Sequence, residues 1–252
     1  MKLFVFSDIH GCYDEFSLIL DSVLKNEFDP EIRNDHLIFL GDYVDRGEKS
    51  AQVIQRCIEL QREYIYHTEF LLGNHEDMLM GYLGLGGSMG QFYLQNGGAK
   101  TLQSYGVTDP TSIAEALECI PKSHIEFLTN LLHYHKHPDT NYLFVHAGVL
   151  PDVPLEEQGD NILLWIRDHF FYSIKHSEIF RGTTIVHGHT PSPKPAFDLP
   201  NRIGIDTGCV FGNELTCLII DTEDDSHYRT ISVARGSDMI KHNSYSKANN
   251  YK

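Results

Sequence analysis

The chain has 252 residues, and its formal net charge at pH 7 is −15. This length suits one large domain with a full hydrophobic core, or at most two small ones. The acidic balance argues against a nucleic-acid-binding or anionic-membrane surface, and no apolar run is long enough to cross a membrane. The five cysteines are widely spaced and odd in number. They favour reduced thiols and a cytoplasmic location.

The first apolar run ends in two polar side chains. Residues 3–6 predict a short strand that is buried on both faces, and the sequence Ser7-Asp8-Ile9-His10-Gly11 follows it. Residues two apart in extended backbone project the same way, so Asp8 and His10 point to one spot beyond the strand. Open α/β sheets bind their ligands at such strand ends. A single copy of this pattern is a weak signal, but it recurs along the chain.

The same pattern, a buried strand followed by polar residues, appears at the next two strand ends. Apolar spacings of three and four over 16–24 predict a helix, and a second buried strand over 36–40 then follows. That strand leads into Gly41-Asp42-Tyr43-Val44-Asp45-Arg46-Gly47, where two glycines allow charged groups to come close together. A third strand over 70–72 leads into Gly73-Asn74-His75-Glu76. These motifs place further carboxylate, amide and imidazole groups beside the first pair.

Residues 81–132 predict a helical insertion between strands. Within the insertion, Pro110 after Asp109 predicts the start of a helix, because proline is favoured at the first helical position. The insertion either covers a sheet face or shapes access to the site, and the sequence leaves both roles open. We expect a single domain over 1–240 that contains this insertion.

The second half of the chain supplies two more strand-end motifs. A hairpin over 133–146 ends in His146-Ala147-Gly148, and a strand over 183–186 ends in His187-Gly188-His189. Between them, Arg167 lies close in sequence to Trp165, and this arginine either stacks at the surface or reaches into the site. The last dozen residues, 241–252, are rich in Asn, Lys and Ser and predict a disordered tail.

The strand-end residues that can bind a metal are Asp8, His10, Asp42, Asn74, His146 and His189. Oxygen and imidazole ligands without a thiolate suit Mn²⁺, iron or Zn²⁺ in two adjacent sites. Two ions about 3.5–4 Å apart can polarise one substrate and activate a shared water molecule. One carboxylate must then bridge the two ions, and Asp42 is the natural candidate.

The five ordered motifs, which lie within residues 3–210, resemble those of the PPP phosphoprotein phosphatases and, more widely, the calcineurin-like metallophosphoesterases. The chain is most similar to the short bacterial and phage-type serine/threonine phosphatases of that family. The resemblance implies an α/β fold, a β-sandwich of two mixed sheets flanked by helices, with the metals at one edge.

The resemblance also implies a role for each motif residue. Asp8, His10 and Asp42 would hold the first metal, and the second would be held by Asp42, Asn74, His146 and His189. The expected ions are Mn²⁺, with iron or zinc as alternatives. A water held by both ions would attack phosphorus, and His75 would protonate the leaving group while Asp45 orients it. Arg46 and Arg167 would hold phosphoryl oxygens.

The expected function is hydrolysis of phosphoserine and phosphothreonine monoesters by a metal-dependent phosphatase. The alternative is symmetrical cleavage of diadenosine tetraphosphate, or hydrolysis of another small phosphoester. Many relatives that act on phosphoproteins carry an arginine where Leu72 stands here, so one phosphate contact would be missing. Glu76 stands where dinucleotide hydrolases usually carry Asp, which favours the phosphatase branch. The expected partners are a phosphoprotein or small phosphoester, with no nucleic acid or membrane, and the oligomeric state is left open.

Overall fold

The computed structural model describes residues 1–199, 201–224 and 226–246, and within them two mixed β-sheets pack face to face. The strands of the first sheet, in spatial order, are β11 (Ile240–Ser246), β10 (His227–Ala234), β9 (Glu214–Asp221), β1 (Lys2–Phe6), β2 (His36–Phe39) and β3 (Thr68–Phe70). The strands of the second sheet are β4 (Tyr134–Lys136), β5 (Tyr142–Val145), β6 (Thr184–His187), β8 (Arg202–Gly204) and β7 (Ala196–Leu199).

The direction of the strands decides where the motifs meet. In the first sheet β1, β2 and β3 run parallel, with Phe6 opposite Phe39 and Phe39 opposite Phe70. In the second sheet β5, β6 and β8 run parallel. Because parallel strands end at the same edge of a sheet, the residues after them collect there.

An apolar layer joins the two sheets. Alternate side chains of the first sheet, among them Val5 and Ile38, pack against Phe144, Val186 and Ile203 of the second sheet. All five are buried, and burial of each such side chain contributes about 1.5–3 kcal/mol to folding. The other face of these strands is also covered, which explains why they read as continuous apolar runs.

Nine α-helices lie within the described residues: α1 (Tyr13–Asn26), α2 (Pro30–Arg33), α3 (Ser50–Glu63), α4 (Asn74–Leu83), α5 (Gly98–Ser104), α6 (Ile113–Cys119), α7 (Lys122–Thr129), α8 (Asp160–Leu163) and α9 (Asp168–Ser173). Phe16 of α1 packs edge-on against Phe6, with ring centroids 5.7 Å apart, so α1 covers the outer face of the first sheet. Phe170 of α9 packs into the cluster on the outer face of the second sheet. None of the helices in the described residues is long and apolar enough to cross a membrane. The predicted α/β sandwich of two mixed sheets flanked by helices is confirmed.

The segment 81–132 lies between β3 and β4 and contains α5, α6 and α7. It reaches the strand-end motifs, because the Gly97 carbonyl accepts the Arg46 backbone N–H at 3.2 Å. The helix predicted to start at Pro110 instead starts at Ile113. The Asp109 carboxylate accepts the Thr111 N–H and holds a turn there, and the Ser112 hydroxyl caps the helix.

The prediction that residues 241–252 form a disordered tail is wrong for 241–246. These residues belong to β11, which pairs antiparallel with β10, and Ile240 lies opposite Val233. The Tyr245 ring packs on Phe197 with centroids 4.6 Å apart. The segment is ordered because it pairs with the open edge of β10 and because Tyr245 contacts Phe197. A polar composition shows neither of these contacts, and the sheet therefore continues past residue 240. Residues 247–252 lie outside the described residues.

Candidate active site

The turns after the strands have an unusual backbone. Eight non-glycine residues of the described chain have positive φ, and six of them are predicted site residues: Asp8, His10, Asp42, Asp45, Arg46 and His189, with φ between 44° and 74°. The left-handed region costs an ordinary residue about 1–3 kcal/mol and persists only where the surroundings impose it. The surrounding fold therefore holds these turns in a fixed conformation, and the strain lowers the stability of the folded state.

His10 and Asp42 form the first half of the site. His10 Nδ1 donates to the Val44 carbonyl at 2.7 Å, which directs its Nε2 toward Asp42 Oδ2 at 3.3 Å. Burial acts to lower the pKa of His10, but the hydrogen bond and charge of Asp42 outweigh burial and raise it to about 9. Asp8 lies beside them, and its carboxylate accepts the His189 backbone N–H at 3.0 Å.

Asn74, His146 and His189 form the second half of the site with Asp42. His146 Nδ1 donates to the Leu40 carbonyl at 2.9 Å, so its Nε2 presents a lone pair. That Nε2 lies 3.0 Å from Asn74 Oδ1 and 3.5 Å from Asp42 Oδ1. His189 Nδ1 lies 3.0 Å from the same Asn74 oxygen. Burial lowers the pKa of His189 to about 2, which favours its neutral imidazole.

This donor set fits divalent cations. Acceptor atoms face one another at 3.0–3.5 Å around Asn74 and Asp42, an arrangement that a proton or a cation between them makes favourable. Two groups of possible metal-ligand atoms occur here, and within each group the atoms lie within 4.8 Å of one another. One group comes from His10, Asp42 and His75, and the other from Asp42, His146 and His189. Asp42 belongs to both groups, which is the position that a bridging carboxylate requires.

His75 and Asp45 form a buried hydrogen-bonded pair. His75 Nδ1 lies 2.7 Å from Asp45 Oδ2, and the Thr101 hydroxyl donates to Asp45 Oδ1, also at 2.7 Å. The His75 ring packs edge-on against His10 with centroids 4.7 Å apart. A proton donor oriented by a carboxylate at the floor of a cleft has the arrangement that general acid catalysis needs.

The two predicted arginines lie at the rim of a cleft of about 290 Å³. Arg46 Nη1 lies 2.7 Å from His10 Nε2, and its guanidinium stands over the Phe211 ring at 5.2 Å. Arg167 Nη2 donates to the His189 carbonyl at 3.1 Å. Of the ten predicted site residues, seven line this cleft: Asp8, Asp42, Arg46, Asn74, His75, Arg167 and His189. The other three, Asp45, His10 and His146, are buried, and Asp45 contacts the cleft residue His75.

Several residues of the site were not indicated by the sequence motifs. Asn96, Trp165, Asp206 and Phe211 also line the cleft. Asp206 follows β8 and so repeats the strand-end pattern that could have identified it; burial and the charge of Asp8 raise the pKa of its carboxyl. Glu76 is fully buried, and its two oxygens accept four backbone N–H groups, those of Asp42, Tyr43, Val44 and Gly73. The motif alone indicated its place but not this role.

Comparisons with known proteins agree with this geometry. Residues 1–224 match the family described as calcineurin-like phosphoesterase. The asymmetrical bis(5'-nucleosyl)-tetraphosphatase PrpE of Anoxybacillus flavithermus is 29% identical over 235 residues, which are 85% of this chain and 88% of that protein. The fold is also similar to a cold-active protein tyrosine phosphatase of a psychrophilic Shewanella species (TM-score 0.59, 17% identity, 96% of this chain and 80% of the other). A Saccharomyces cerevisiae serine/threonine phosphatase is similar as well (TM-score 0.53, 15% identity, 98% and 80%). The chain therefore belongs to the calcineurin-like phosphoesterase family of metal-dependent hydrolases.

Proposed function

We propose that this chain hydrolyses phosphoesters with two divalent cations, expected to be Mn²⁺, with iron or zinc as alternatives. The ligands would be Asp8, His10 and Asp42 for one cation and Asp42, Asn74, His146 and His189 for the other. The observation that carries the proposal is the position of Asp42 between two groups of ligand atoms. When bound, the cations would polarise the phosphoryl group and promote ionisation of a water molecule.

The chain's own residues supply the remaining steps. Arg46 and Arg167 both line the cleft and would bind phosphoryl oxygens with planar, permanently charged guanidinium groups. Arg46 must leave His10 to do so, which a long side chain at the rim allows. His75 would donate a proton to the leaving oxygen. Asp45 holds the His75 ring in place, and Thr101 holds Asp45.

For the substrate we propose a dinucleoside tetraphosphate that is cleaved asymmetrically. Support comes from the PrpE relatives, which cover nearly the whole chain and are named for this reaction. Many relatives that act on phosphoproteins carry an arginine at the position of Leu72. This chain therefore has one positively charged side chain fewer for binding a phosphoprotein. This ranking of substrates differs from the expectation from sequence. There, phosphomonoester hydrolysis was the first candidate, and the alternative was symmetrical cleavage of the dinucleotide.

Hydrolysis of phosphoserine and phosphothreonine is the second candidate. The buried His75–Asp45 pair favours it, because a serine alkoxide is a poor leaving group and needs a proton more than a nucleotide phosphate does. Both candidates use the same metals and the same cleft, so only substrate turnover separates them.

The test is a comparison of kcat/KM for diadenosine tetraphosphate and a phosphoserine peptide with Mn²⁺-loaded protein. The proposal expects faster turnover of the dinucleotide, with AMP and ATP as products. Two molecules of ADP would instead show symmetrical cleavage. Faster turnover of the peptide would place the second candidate first, and turnover that survives full removal of metal would contradict the metal-dependent mechanism.

A further inference from the structure

A second cavity adjoins the catalytic cleft. It has a volume of about 760 Å³, and Trp165 lines both it and the cleft. We call it the Trp165 cavity. Small-molecule sites typically have volumes of about 300–1,000 Å³, so it is large enough for an aromatic group of a substrate whose phosphate lies at the metals.

One part of the Trp165 cavity is apolar and is anchored to the site. The Trp165 ring packs edge-on against the ring of His189, with centroids 6.0 Å apart. Leu72 and Met80 form a buried cluster with Leu164, against which Trp165 also packs. The indole is therefore held at a fixed distance from a predicted metal ligand, and an aromatic ring can stack beside it.

The other part of the cavity carries hydrogen-bond acceptors. Asp77 accepts the Ser88 backbone N–H at 3.2 Å through Oδ2, and Asp160 Oδ1 lies 2.6 Å from His133 Nδ1. Asp160 is bonded through one oxygen and is exposed enough to present the other to a ligand, whereas Asp77 is almost fully buried. Asn161 adds an amide at the same wall.

This charge pattern selects the kind of group that enters. The lining carries two carboxylates, and its one histidine, His133, already pairs with Asp160, so a phosphate would be repelled. A purine base is neutral and flat, and its amino group is a donor that carboxylate and amide oxygens accept. We propose that the Trp165 cavity binds the purine base of the substrate, stacked beside Trp165, with its amino group donating a hydrogen bond to the Asp160 carboxylate. This inference rests on the proposed dinucleotide function and names where the nucleoside is recognised.

The chain offers a direct probe, because Trp165 is its only tryptophan. The experiment titrates the tryptophan fluorescence of the metal-loaded protein with adenosine and, separately, with purine riboside, which lacks the amino group. We expect saturable quenching by adenosine and an affinity about tenfold lower for purine riboside, the ratio that one lost hydrogen bond gives. In Asp160→Ala the two affinities should approach each other, whereas Asp152→Ala, an exposed control outside the cavity, should behave like the wild type.

Kinetics provide the second readout. Asp160→Ala should raise KM for diadenosine tetraphosphate about tenfold, whereas Asp152→Ala should leave it unchanged. If the dinucleotide is hydrolysed but neither nucleoside quenches saturably, the base site is wrong and the proposed function stands. If adenosine binds with the stated selectivity but the dinucleotide is not hydrolysed, the function is wrong and the base site stands. Quenching by a lysine amide and not by adenosine would overturn the inference in favour of a peptide side chain.

Discussion

Replacing Glu76 by glutamine tests how the two turns that carry predicted metal ligands are held together. The Glu76 carboxylate is fully buried between the turn that carries Asp42 and the turn that carries Asn74. Its Oε1 accepts the Tyr43 and Val44 N–H groups at 2.8 and 3.1 Å. Its Oε2 accepts those of Asp42 and Gly73 at 2.8 and 3.0 Å. Glutamine has almost the same shape, so the substitution changes hydrogen bonding and charge without opening a cavity.

The amide of glutamine keeps one acceptor oxygen and places a donor nitrogen where the other was. Two buried N–H groups then lose their acceptor, and each such loss costs about 1–3 kcal/mol. We therefore expect Glu76→Gln to lower the free energy of unfolding by about 2–6 kcal/mol, a large part of the 5–15 kcal/mol typical of a domain. Metal affinity should fall with it, because the Asp42 N–H is one of the four donors.

The assay is urea unfolding followed by circular dichroism, with and without Mn²⁺. Glu118→Gln, on the exposed face of α6, is the matched control and should change stability by less than about 0.5 kcal/mol. If Glu76→Gln were as stable as this control, the four-donor arrangement would not be what fixes the turns.

Two further predictions concern catalysis and pH. His75→Gln should lower kcat for a phosphoserine peptide by about 10²–10⁴-fold and leave the metal content unchanged; an unaltered rate would remove His75 from the role of proton donor. Burial, reinforced by neighbouring histidines, lowers the pKa values of His36 and His135 from 6.5 to about 4. The unfolded chain then binds protons that the folded chain does not, so stability is lost as pH falls from about 6.5 to 4. After halving for residual solvent contact, the two groups together cost about 3 kcal/mol by pH 4. Urea unfolding should show a shallower pH dependence in the double variant His36→Gln/His135→Gln, and an equal slope would contradict the assignment.

The sheet core and the strand-end turns could be predicted from the sequence because their patterns are local. A buried strand followed by glycine and polar residues is a pattern within a few positions, as in residues 36–47. Parallel pairing then brings such ends together without further information, which is why Asp8, Asp42 and Asn74 meet.

The parts that sequence did not supply depend on distant contacts. Thr101 bonds Asp45 across 56 positions, and nothing local marks it as part of the site. The Trp165 cavity combines residues from α4, α7 and α8. β11 is polar and forms because β10 offers an open edge. A polar composition indicates that ordering such a segment costs conformational entropy. It does not show which strand the segment pairs with to offset that cost.

The position of Asp42 between two groups of ligand atoms is tested most directly by counting metal ions. Metal analysis of protein dialysed against Mn²⁺ should find two ions per chain in the wild type. Removal of the shared carboxylate in Asp42→Ala should leave at most one ion, while circular dichroism shows that the variant is folded. Two ions retained in folded Asp42→Ala, or only one in the wild type, would contradict the bridged centre from which the proposed chemistry follows.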